Sequence, residues 1–211
     1  MPKNSFSDFL NMRRCFLQGE AMRILTGKYK GKKILIPSGI RPTQEKVRKA
    51  IFDILQDVEG LDFLELYAGS GAVGFEALSR GCRSLTMVEN NRNCLKVLQK
   101  NIEALKLDKG SLLPISAEDA IVRFCKKGLA FDIIFLDPPY YYNQAKKTLQ
   151  LLSAYDILAP NGFIITQYSK NETLPEELGE LRLLRRYRYG DTLLAVYQKI
   201  GSFSKRMFLE M

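Results

Sequence analysis

The chain has 211 residues, enough for one domain of good size with a small appendage. It contains no histidine and its four cysteines show no Cys-x-x-Cys spacing, so we expect no metal site, no histidine-based catalytic triad and reduced thiols. No apolar run approaches the ~20 residues of a membrane span and no signal-peptide pattern opens the chain, so we predict a cytoplasmic protein outside the membrane.

The net charge of +9 lies entirely at one end of the chain. Residues 1–50 hold 12 Lys and Arg against 3 Asp and Glu, while the remaining residues hold 20 of each sign. Clustering of this kind is typical of a protein that binds a polyanion, and counterion release makes such binding salt-sensitive. The alternative is a flexible basic tail that only aids solubility. We favour the polyanion, because the basic residues alternate with apolar ones.

The first predicted elements lie in this basic region. Residues 1–21 carry no clear period, and we expect them to be poorly ordered. Residues 22–42 have the pattern of a basic β-hairpin, with turns near its glycines, which we interpret as a nucleic-acid-binding extension. Thr43 is then predicted to be the N-cap of a helix whose apolar stripe runs from Val47 to Leu55.

From residue 61 onward strands and helices alternate. This alternation predicts a Rossmann-like, doubly wound and mostly parallel sheet, which binds ligands at the carboxyl ends of its strands. An antiparallel hairpin closes the domain, which we expect to span 43–199 before a tail at 200–211. The predicted strands are Asp62–Leu66, Ser84–Val88, Ser111–Ile115, Phe131–Leu136, Gly162–Gln167, Leu181–Arg188 and Thr192–Lys199, and the helices are Ala72–Arg80, Arg92–Leu105, Ala117–Lys127 and Gln144–Leu158.

A glycine-rich loop follows the first strand of this domain. Gly69, Gly71 and Gly74 have the spacing of the dinucleotide fingerprint, in which backbone N–H groups approach a ligand closely. Glu89 ends the next strand, where its carboxylate can accept hydrogen bonds from ribose hydroxyls. The fingerprint alone fits a nicotinamide or flavin enzyme as well as a methyl donor. Glu65, before the loop, favours the methyl donor, because an acid there can bind an ammonium group and does not help to bind a pyrophosphate.

S-adenosylmethionine has an ammonium group, a ribose and an adenine, and the sequence offers an acid for each. Glu65 and Glu89 are the candidates for the first two. Asp119 is the candidate for the adenine, although Asp is also common at the N-cap of a helix, and both interpretations stay open.

The tetrapeptide Asp137-Pro138-Pro139-Tyr140 stands at the end of an apolar strand. Two prolines fix a stiff, extended arm after the strand. Asp137 and the carbonyl of Pro138 can both accept hydrogen bonds from one exocyclic amino group, and Tyr140 can stack on the base that bears it. The tetrapeptide therefore predicts a site that orients an amine of a nucleobase. The alternative is a strand terminator with an incidental Asp.

A second basic cluster lies in the predicted C-terminal hairpin, where arginines alternate with tyrosines. Such a pattern suits nucleic acid, and it equally suits a charged edge strand protected against aggregation. The cluster consists of Arg182, Arg185, Arg186 and Arg188 beside Tyr187 and Tyr189.

Together these residues resemble a known family, the bacterial RNA methyltransferases that modify the guanine N2 amino group of small-subunit ribosomal RNA. The resemblance runs from Met22 to about Lys199. The glycine loop is common to most class I methyltransferases, and the Asp137 tetrapeptide is shared with DNA amino-methyltransferases. The basic hairpin followed by Arg41-Pro42-Thr43 indicates the RNA branch. The sequence departs from the family at Glu65 and Tyr67, where Asp and Phe are more frequent, and at Gln167, where an acid is common.

The resemblance implies a class I methyltransferase fold with a small basic N-terminal hairpin and S-adenosylmethionine as cofactor. It implies methyl transfer to a guanine of 16S ribosomal RNA, at guanine 966, in free RNA or in an assembling small subunit. We also expect a monomer without metal. Two alternatives stay open: a DNA N6-adenine or N4-cytosine methyltransferase, and a non-catalytic RNA-binding assembly protein on the same fold.

The resemblance also implies roles for single residues, in three groups. The catalytic group is Asp137, Pro138, Pro139 and Tyr140. The cofactor contacts are Glu65, Ala68, Gly69, Ser70, Gly71, Glu89, Asn90, Asp119 and Ala120, and the RNA contacts are Arg23, Lys28, Tyr29, Lys30, Lys32, Lys33, Arg41 and Arg48.

Overall fold

The structure, a computed structural model, describes residues 21–40, 42–107, 112–139 and 143–200. Of the residues predicted to act, Arg41 and Tyr140 lie outside these ranges, as do nearly all of the N-terminal extension and the C-terminal tail. Within the described ranges, no helix is both long enough and apolar enough to cross a bilayer.

Strands and helices alternate through most of the described chain. The strands are β1 (Ala21–Arg23), β2 (Lys33–Leu35), β3 (Asp62–Leu66), β4 (Ser84–Val88), β5 (Leu112–Leu113), β6 (Phe131–Leu136), β7 (Leu158–Ser169), β8 (Glu177–Leu178), β9 (Leu181–Tyr189) and β10 (Thr192–Lys199). The helices are α1 (Glu45–Leu55), α2 (Ala72–Ser79), α3 (Arg92–Leu105), α4 (Ala117–Lys126) and α5 (Gln144–Ala154).

Eight strands form one sheet in the order β5-β4-β3-β6-β7-β10-β9-β8. The first five are parallel to their neighbours, and the last three are added antiparallel. From β3 the chain winds first toward β4 and β5 and then returns to the other side at β6, so the strand order reverses between β3 and β6. The predicted doubly wound sheet with an antiparallel C-terminal hairpin is confirmed. Sheets of this kind bind ligands at such a reversal.

The largest difference from the predicted elements lies between α5 and β7. The helix ends at Ala154 and not at Leu158, and β7 begins at Leu158 and not at Gly162. The backbone N–H of Phe131 donates to the carbonyl of Ile157 at 2.9 Å, and Leu158 pairs with Phe131. The apolar pair Ile157 and Leu158 fits a helical stripe and a buried strand equally well by periodicity, and pairing with β6 decides for the strand.

Two apolar layers cover the sheet. The β-hairpin β1–β2 and helices α1, α2 and α3 pack on one face, where Phe52, Phe75 and Leu98 are buried. Helices α4 and α5 cover the other face, with Ile121 and Leu149 at its centre. The side chains of both layers leave the carboxyl ends of β3, β4 and β6 open.

The basic hairpin is docked firmly onto α2. Ile24 and Ile34 belong to the same buried cluster as the helices, with 2% and 0% of their surface exposed. The buried carboxylate of Glu76 accepts hydrogen bonds from the backbone N–H of Leu25 at 2.7 Å and of Thr26 at 3.0 Å. Gly27 is required at the contact, because a Cβ there would lie 1.7 Å from the carbonyl oxygen of Ser79.

Arg48 has a structural position that contradicts its expected contact with RNA. Its side chain is 1% exposed. Its Nη2 donates to the carbonyl of Arg23 at 2.8 Å and its Nη1 to the sulfur of Met22 at 2.7 Å. Burial lowers the pKa of Arg48, and the negative charge of Glu76 opposes that shift. Arg48 therefore ties the hairpin to α1 and does not face a nucleic acid. An apolar helical stripe can include a buried arginine when the neighbouring element supplies acceptors.

Candidate active site

A cavity of about 530 Å³ opens at the carboxyl ends of β3, β4 and β6. Three carboxylates predicted from the sequence line it: Glu65 from β3, Glu89 after β4 and Asp137 after β6. Parallel strands present their carboxyl ends at one edge of the sheet, which is why residues far apart in sequence meet here. The lining residues include a fourth acid, Asp191, and no Lys or Arg among the residues that the structure describes.

Glu65 is the most deeply buried of these acids, with 2% of its surface exposed. Its Oε2 accepts a hydrogen bond from the backbone N–H of Gly74 at 3.0 Å. Burial raises the pKa of Glu65 to about 8, and the nearby charges of Asp137 and Glu89 add to the shift. A Cβ on residue 74 would lie 2.5 Å from the Oε2 atom, so the third glycine of the fingerprint makes room for this carboxylate.

The glycine loop wraps from β3 into α2 with three left-handed residues: Tyr67 at φ 59°, Gly69 at φ 54° and Gly71 at φ 74°. Ala68, Gly69 and Ser70 line the cavity. Gly71 lies behind them as the N-cap of α2, where a Cβ would approach Phe75 to 2.6 Å. Gly71 thus shapes the loop through its conformation and packing.

Glu89 joins the glycine loop to the start of α3. Its Oε2 accepts from the N–H of Gly69 at 2.8 Å. Its Oε1 accepts from the N–H groups of Asn90 at 2.9 Å and Asn91 at 2.8 Å. The Asn91 side chain in turn caps α3. The predicted contact Asn90 lines the cavity beside Glu89.

Asp137 lies at the opposite wall and is partly buried. The Thr43 hydroxyl donates to its Oδ2 at 3.3 Å, and burial raises the pKa of Asp137 to about 7. Pro138 and Pro139 line the cavity after it. The prediction that Thr43 caps α1 is wrong: Gln44 holds the N-cap position without a side-chain bond, and the Thr43 hydroxyl faces Asp137.

Besides Gly71, two predicted cofactor contacts are not among the residues that line the cavity. Asp119 is exposed in the first turn of α4, where its N–H donates to the Ser116 hydroxyl at 3.0 Å and its carboxylate accepts from the same hydroxyl at 2.8 Å. Ser116, and not Asp119, holds the N-cap position. Ala120 is fully buried against the second apolar layer.

The hairpin residues expected to contact RNA are mostly available to a partner. Arg23 and four lysines are exposed, while Tyr29 is partly buried beneath the ammonium of Lys28, which lies 5.4 Å from its ring centroid. The exposed lysines are Lys28, Lys30, Lys32 and Lys33.

No role was predicted for several of the lining residues. Gln167, Thr192 and Cys94 line the cavity, the first on β7, the second at the start of β10 and the third in the first turn of α3. Position at the carboxyl end of the next strand could have suggested Gln167, but a glutamine has no distinctive chemistry there. Tyr67 also lines the cavity, and its hydroxyl bonds to that of Thr148 at 2.7 Å, which links the glycine loop to α5.

The arrangement favours a positively charged organic ligand. Glu65, Glu89 and Asp137 line the cavity with no described Lys or Arg, and the fourth acid, Asp191, pairs with Lys170 at 2.8 Å. The cavity therefore offers no cationic side chain to a pyrophosphate, and it offers carboxyl groups that an ammonium or sulfonium group would favour in their ionised form. The nicotinamide and flavin interpretations of the glycine loop are therefore disfavoured. Across the described residues there is also no cluster of Cys, Asp and Glu that could hold a metal ion.

Residues 22–198 match the model of the family described as "Conserved hypothetical protein 95". The chain belongs to this family. The matched range contains the hairpin, the glycine loop, the three carboxylates and the Asp137 tetrapeptide, so the family model covers every element of the site.

One relative of this chain is "Putative rRNA methyltransferase YlbH" of Bacillus subtilis. It is 35% identical over 184 residues, which are 85% of this chain and 100% of the relative. Another is "Ribosomal RNA small subunit methyltransferase D" of Escherichia coli, 31% identical over 181 residues, 84% of this chain and 90% of the relative. Among solved structures, "Putative methyltransferase yhhF from Escherichia coli" superposes with a TM-score of 0.75 at 30% identity, over 86% of this chain and 99% of the other. The fold is that of class I methyltransferases.

Proposed function

We propose that this protein transfers a methyl group from S-adenosylmethionine to the exocyclic N2 amine of a guanine in 16S ribosomal RNA, at guanine 966. The observation that carries the proposal is the meeting of Asp137 and its prolines with Glu65 and Glu89 in one acidic cavity. The names of the relatives support ribosomal RNA of the small subunit as the substrate. The choice of the guanine N2 atom rests on the family resemblance.

S-adenosylmethionine supplies a methyl group on a positively charged sulfur, which suits a cavity lined by acids. Glu65 would accept hydrogen bonds from its ammonium group, and Glu89 from its ribose hydroxyls. The loop of Ala68, Gly69 and Ser70 would border the methionine part, and we place Asp119 toward the adenine. The buried Glu65 carboxylate has hydrogen bonds from backbone N–H groups and has room for a further, cationic partner in the cavity.

Asp137 and the Pro138 carbonyl would hold the target amine. Both are acceptors, so together they can bind the two amine hydrogens and direct the nitrogen lone pair toward the methyl group. A bond forms between nitrogen and the methyl carbon, the bond from that carbon to sulfur breaks, and a proton leaves the nitrogen. With a pKa of about 7, Asp137 can take that proton near neutral pH. Positioning and electrostatics would supply most of the rate enhancement.

We further propose that the base leaves its stack to reach this cavity, with Tyr140 stacking on it and the hairpin of residues 22–42 binding the surrounding RNA. Arg48 is excluded from that contact because it is buried. The predicted monomer is kept as part of the proposal, and sedimentation of the purified protein would measure it.

The test uses S-adenosylmethionine with a radiolabelled methyl group. Purified protein is offered free 16S RNA, small-subunit particles that lack the modification, and duplex DNA, and the labelled nucleoside is then identified. The proposal expects N2-methylguanosine from RNA or particles. Label in DNA as N6-methyladenine or N4-methylcytosine would overturn it in favour of the DNA branch, and cofactor binding without any label would favour a non-catalytic assembly protein.

Asp137→Asn is the matched variant for this experiment. It keeps the shape of the side chain but loses the charge and one acceptor, so we expect turnover to fall about 100-fold or more while the cofactor Kd stays within a few-fold. Thr43→Val, which removes only the hydrogen bond to Asp137, should reduce turnover less. Full turnover in Asp137→Asn would remove Asp137 from the mechanism.

A further inference from the structure

The exposed edge of β9 carries two kinds of arginine. Arg182 and Arg186 are neutralised, the first by Glu177 at 3.1 Å and the second by Glu176 at 3.3 Å. Arg185 and Arg188 form no ion pair with an acid in the described part of the chain.

The two unneutralised arginines are nonetheless held in defined places. The guanidinium of Arg185 lies 5.4 Å from the ring centroid of Tyr187, and that ring packs against the buried layer that contains α1. The Nε of Arg188 donates to the carbonyl of Gly190 at 3.1 Å. Both side chains are exposed. Each guanidinium therefore retains N–H donors that a phosphate group could occupy.

Their location connects them with the cavity. Gly190 is followed by Asp191 and Thr192, which line the cavity, and Thr192 pairs with Tyr189, so Arg188 stands one residue along β9 from the strand pair at its rim. Arg185 lies further along the same strand on the opposite face. β8 pairs with β9 at Leu181 and Arg182, and the backbone N–H of Leu183 donates to the carbonyl of Glu176 at 2.7 Å, so the edge of β9 that is free within the described structure begins after Leu183. Arginines on both faces of an edge strand can reach one molecule that lies along it.

The cavity needs a cationic rim if an RNA strand is to enter it. Its described lining contains no Lys or Arg, so the cavity itself offers no cationic side chain to a phosphate group. The lysines of the hairpin lie on the side of α2, whereas β9 is four strands away from β3, roughly 19 Å across the sheet. The two basic surfaces are therefore separate, and the strand edge is the one that adjoins Asp191 and Thr192 at the cavity.

We propose that Arg185 and Arg188 form a second RNA-binding surface, which holds phosphate groups of the nucleotides flanking the target guanine. This inference rests on the proposed function. It also separates the two interpretations of the arginine cluster: protection of an edge strand needs only charge, which all four arginines supply, whereas phosphate binding needs guanidiniums without an acidic partner.

The test compares two double variants of the same strand. RNA affinity is measured by fluorescence anisotropy with a labelled 16S RNA transcript, without turnover, over a series of salt concentrations. For Arg185→Ala/Arg188→Ala we expect at least tenfold weaker binding at about 0.1 M salt, and a salt slope smaller by about 0.7–0.9 for each lost contact. The control Arg182→Ala/Arg186→Ala should change the affinity less than threefold. The cofactor Kd is measured on both to show that the cavity is intact.

A third variant and the wild type complete the design. Arg185→Lys/Arg188→Lys keeps both charges and should retain the wild-type salt slope. Equal losses of RNA affinity in the two alanine variants, or an unchanged salt slope in Arg185→Ala/Arg188→Ala, would overturn the proposed surface. Aggregation of Arg185→Ala/Arg188→Ala with unchanged RNA affinity would show that the arginines protect the edge strand. Failure of the wild type to methylate RNA would instead count against the proposed function, because the binding measurement does not depend on turnover.

Discussion

At the scale of the residue, Glu65 shows how the site trades stability for binding. A carboxyl group with 2% of its surface exposed would ordinarily be replaced by an apolar or amide side chain. Here it is retained beside Gly74, whose missing side chain leaves space for the Oε2 atom. The raised pKa of about 8 means that the free protein carries a proton on Glu65 at neutral pH.

Cofactor binding should therefore release a proton. An ammonium group prefers the ionised carboxylate, so binding removes the proton that Glu65 carries below pH 8. We expect the affinity for S-adenosylmethionine to rise as the pH increases from 6 to 7.5, by up to about tenfold per unit. Calorimetry in two buffers of different ionisation enthalpy measures the protons released. Glu65→Gln should bind more weakly and lose most of the pH dependence, whereas Asp137→Asn, the control, should keep it.

The same proton makes a prediction for stability. The folded pKa of about 8 lies above the ordinary value of 4.5, so between these values the folded state binds more protons than the unfolded state. The free energy of unfolding should consequently fall as the pH rises through this window. Glu65→Gln removes the titration, and we expect it to be more stable than the wild type at pH 8 by roughly 1–3 kcal/mol, measured by urea unfolding without cofactor. Equal stability at pH 8 would show that the carboxylate is well solvated when ionised.

At the scale of the element, α2 contacts both the glycine loop and the basic hairpin. Its N-terminus follows the glycine loop, and its second half carries Glu76 and Ser79, which hold the hairpin. One eight-residue helix thus joins the proposed cofactor loop to the proposed RNA-binding hairpin. Their relative position is fixed by backbone hydrogen bonds and not by flexible side-chain contacts alone.

Glu76→Gln should loosen that junction. The amide keeps one acceptor oxygen, so one of the backbone donors at Leu25 and Thr26 loses its partner, at a cost of about 1–3 kcal/mol in unfolding free energy. RNA affinity should fall with it while the cofactor Kd changes little. Urea unfolding and anisotropy measure the two effects, and the exposed Glu180→Gln is the control. Unchanged RNA affinity in a destabilised Glu76→Gln variant would show that the hairpin position does not matter for binding.

At the scale of the whole molecule, the hairpin and the sheet share one apolar layer. Ile24 and Ile34 are as buried as the residues of the central strands. The hairpin therefore contributes to the core of the domain as well as to its basic surface. Removing it would expose the apolar side of α1 and α2.

Hydrogen exchange should show that the hairpin unfolds together with the domain. We expect the amides of Leu25 and Thr26, bonded to a buried carboxylate, to exchange at rates set by unfolding of the whole domain, as those of β3 do. The amide of Glu180, which lies in an exposed turn, should exchange much faster. Fast exchange of Leu25 and Thr26 in a stable protein would instead make the hairpin a separately unfolding unit.

Much of this architecture could be predicted from the sequence, because its signals are local. β3, β4, β6 and β10 have the predicted bounds, since turn-forming residues near their ends, such as Gly69 after β3 and Pro138 after β6, limit how far a strand can extend. The meeting of Glu65, Glu89 and Asp137 followed from the rule for strand ends.

The predictions that failed concern residues whose roles depend on tertiary contacts. Arg48 and Thr43 were predicted as an RNA contact and a helix cap, because nothing in a linear pattern shows that Met22, Arg23 and Asp137 supply their partners. Gln167 and Thr192 enter the cavity only through the neighbouring strands β7 and β10.

The contact at Gly27 also limits how such proteins can be recombined. With a Cβ position 1.7 Å from the Ser79 carbonyl, this turn and the end of α2 fit as a matched pair of backbones. A chimaera that grafts the basic hairpin of another family member to alter its RNA preference would inherit one half of that pair. Functional chimaeras should transfer residues 21–36 together with α2, so that the two contacting backbone segments come from the same parent.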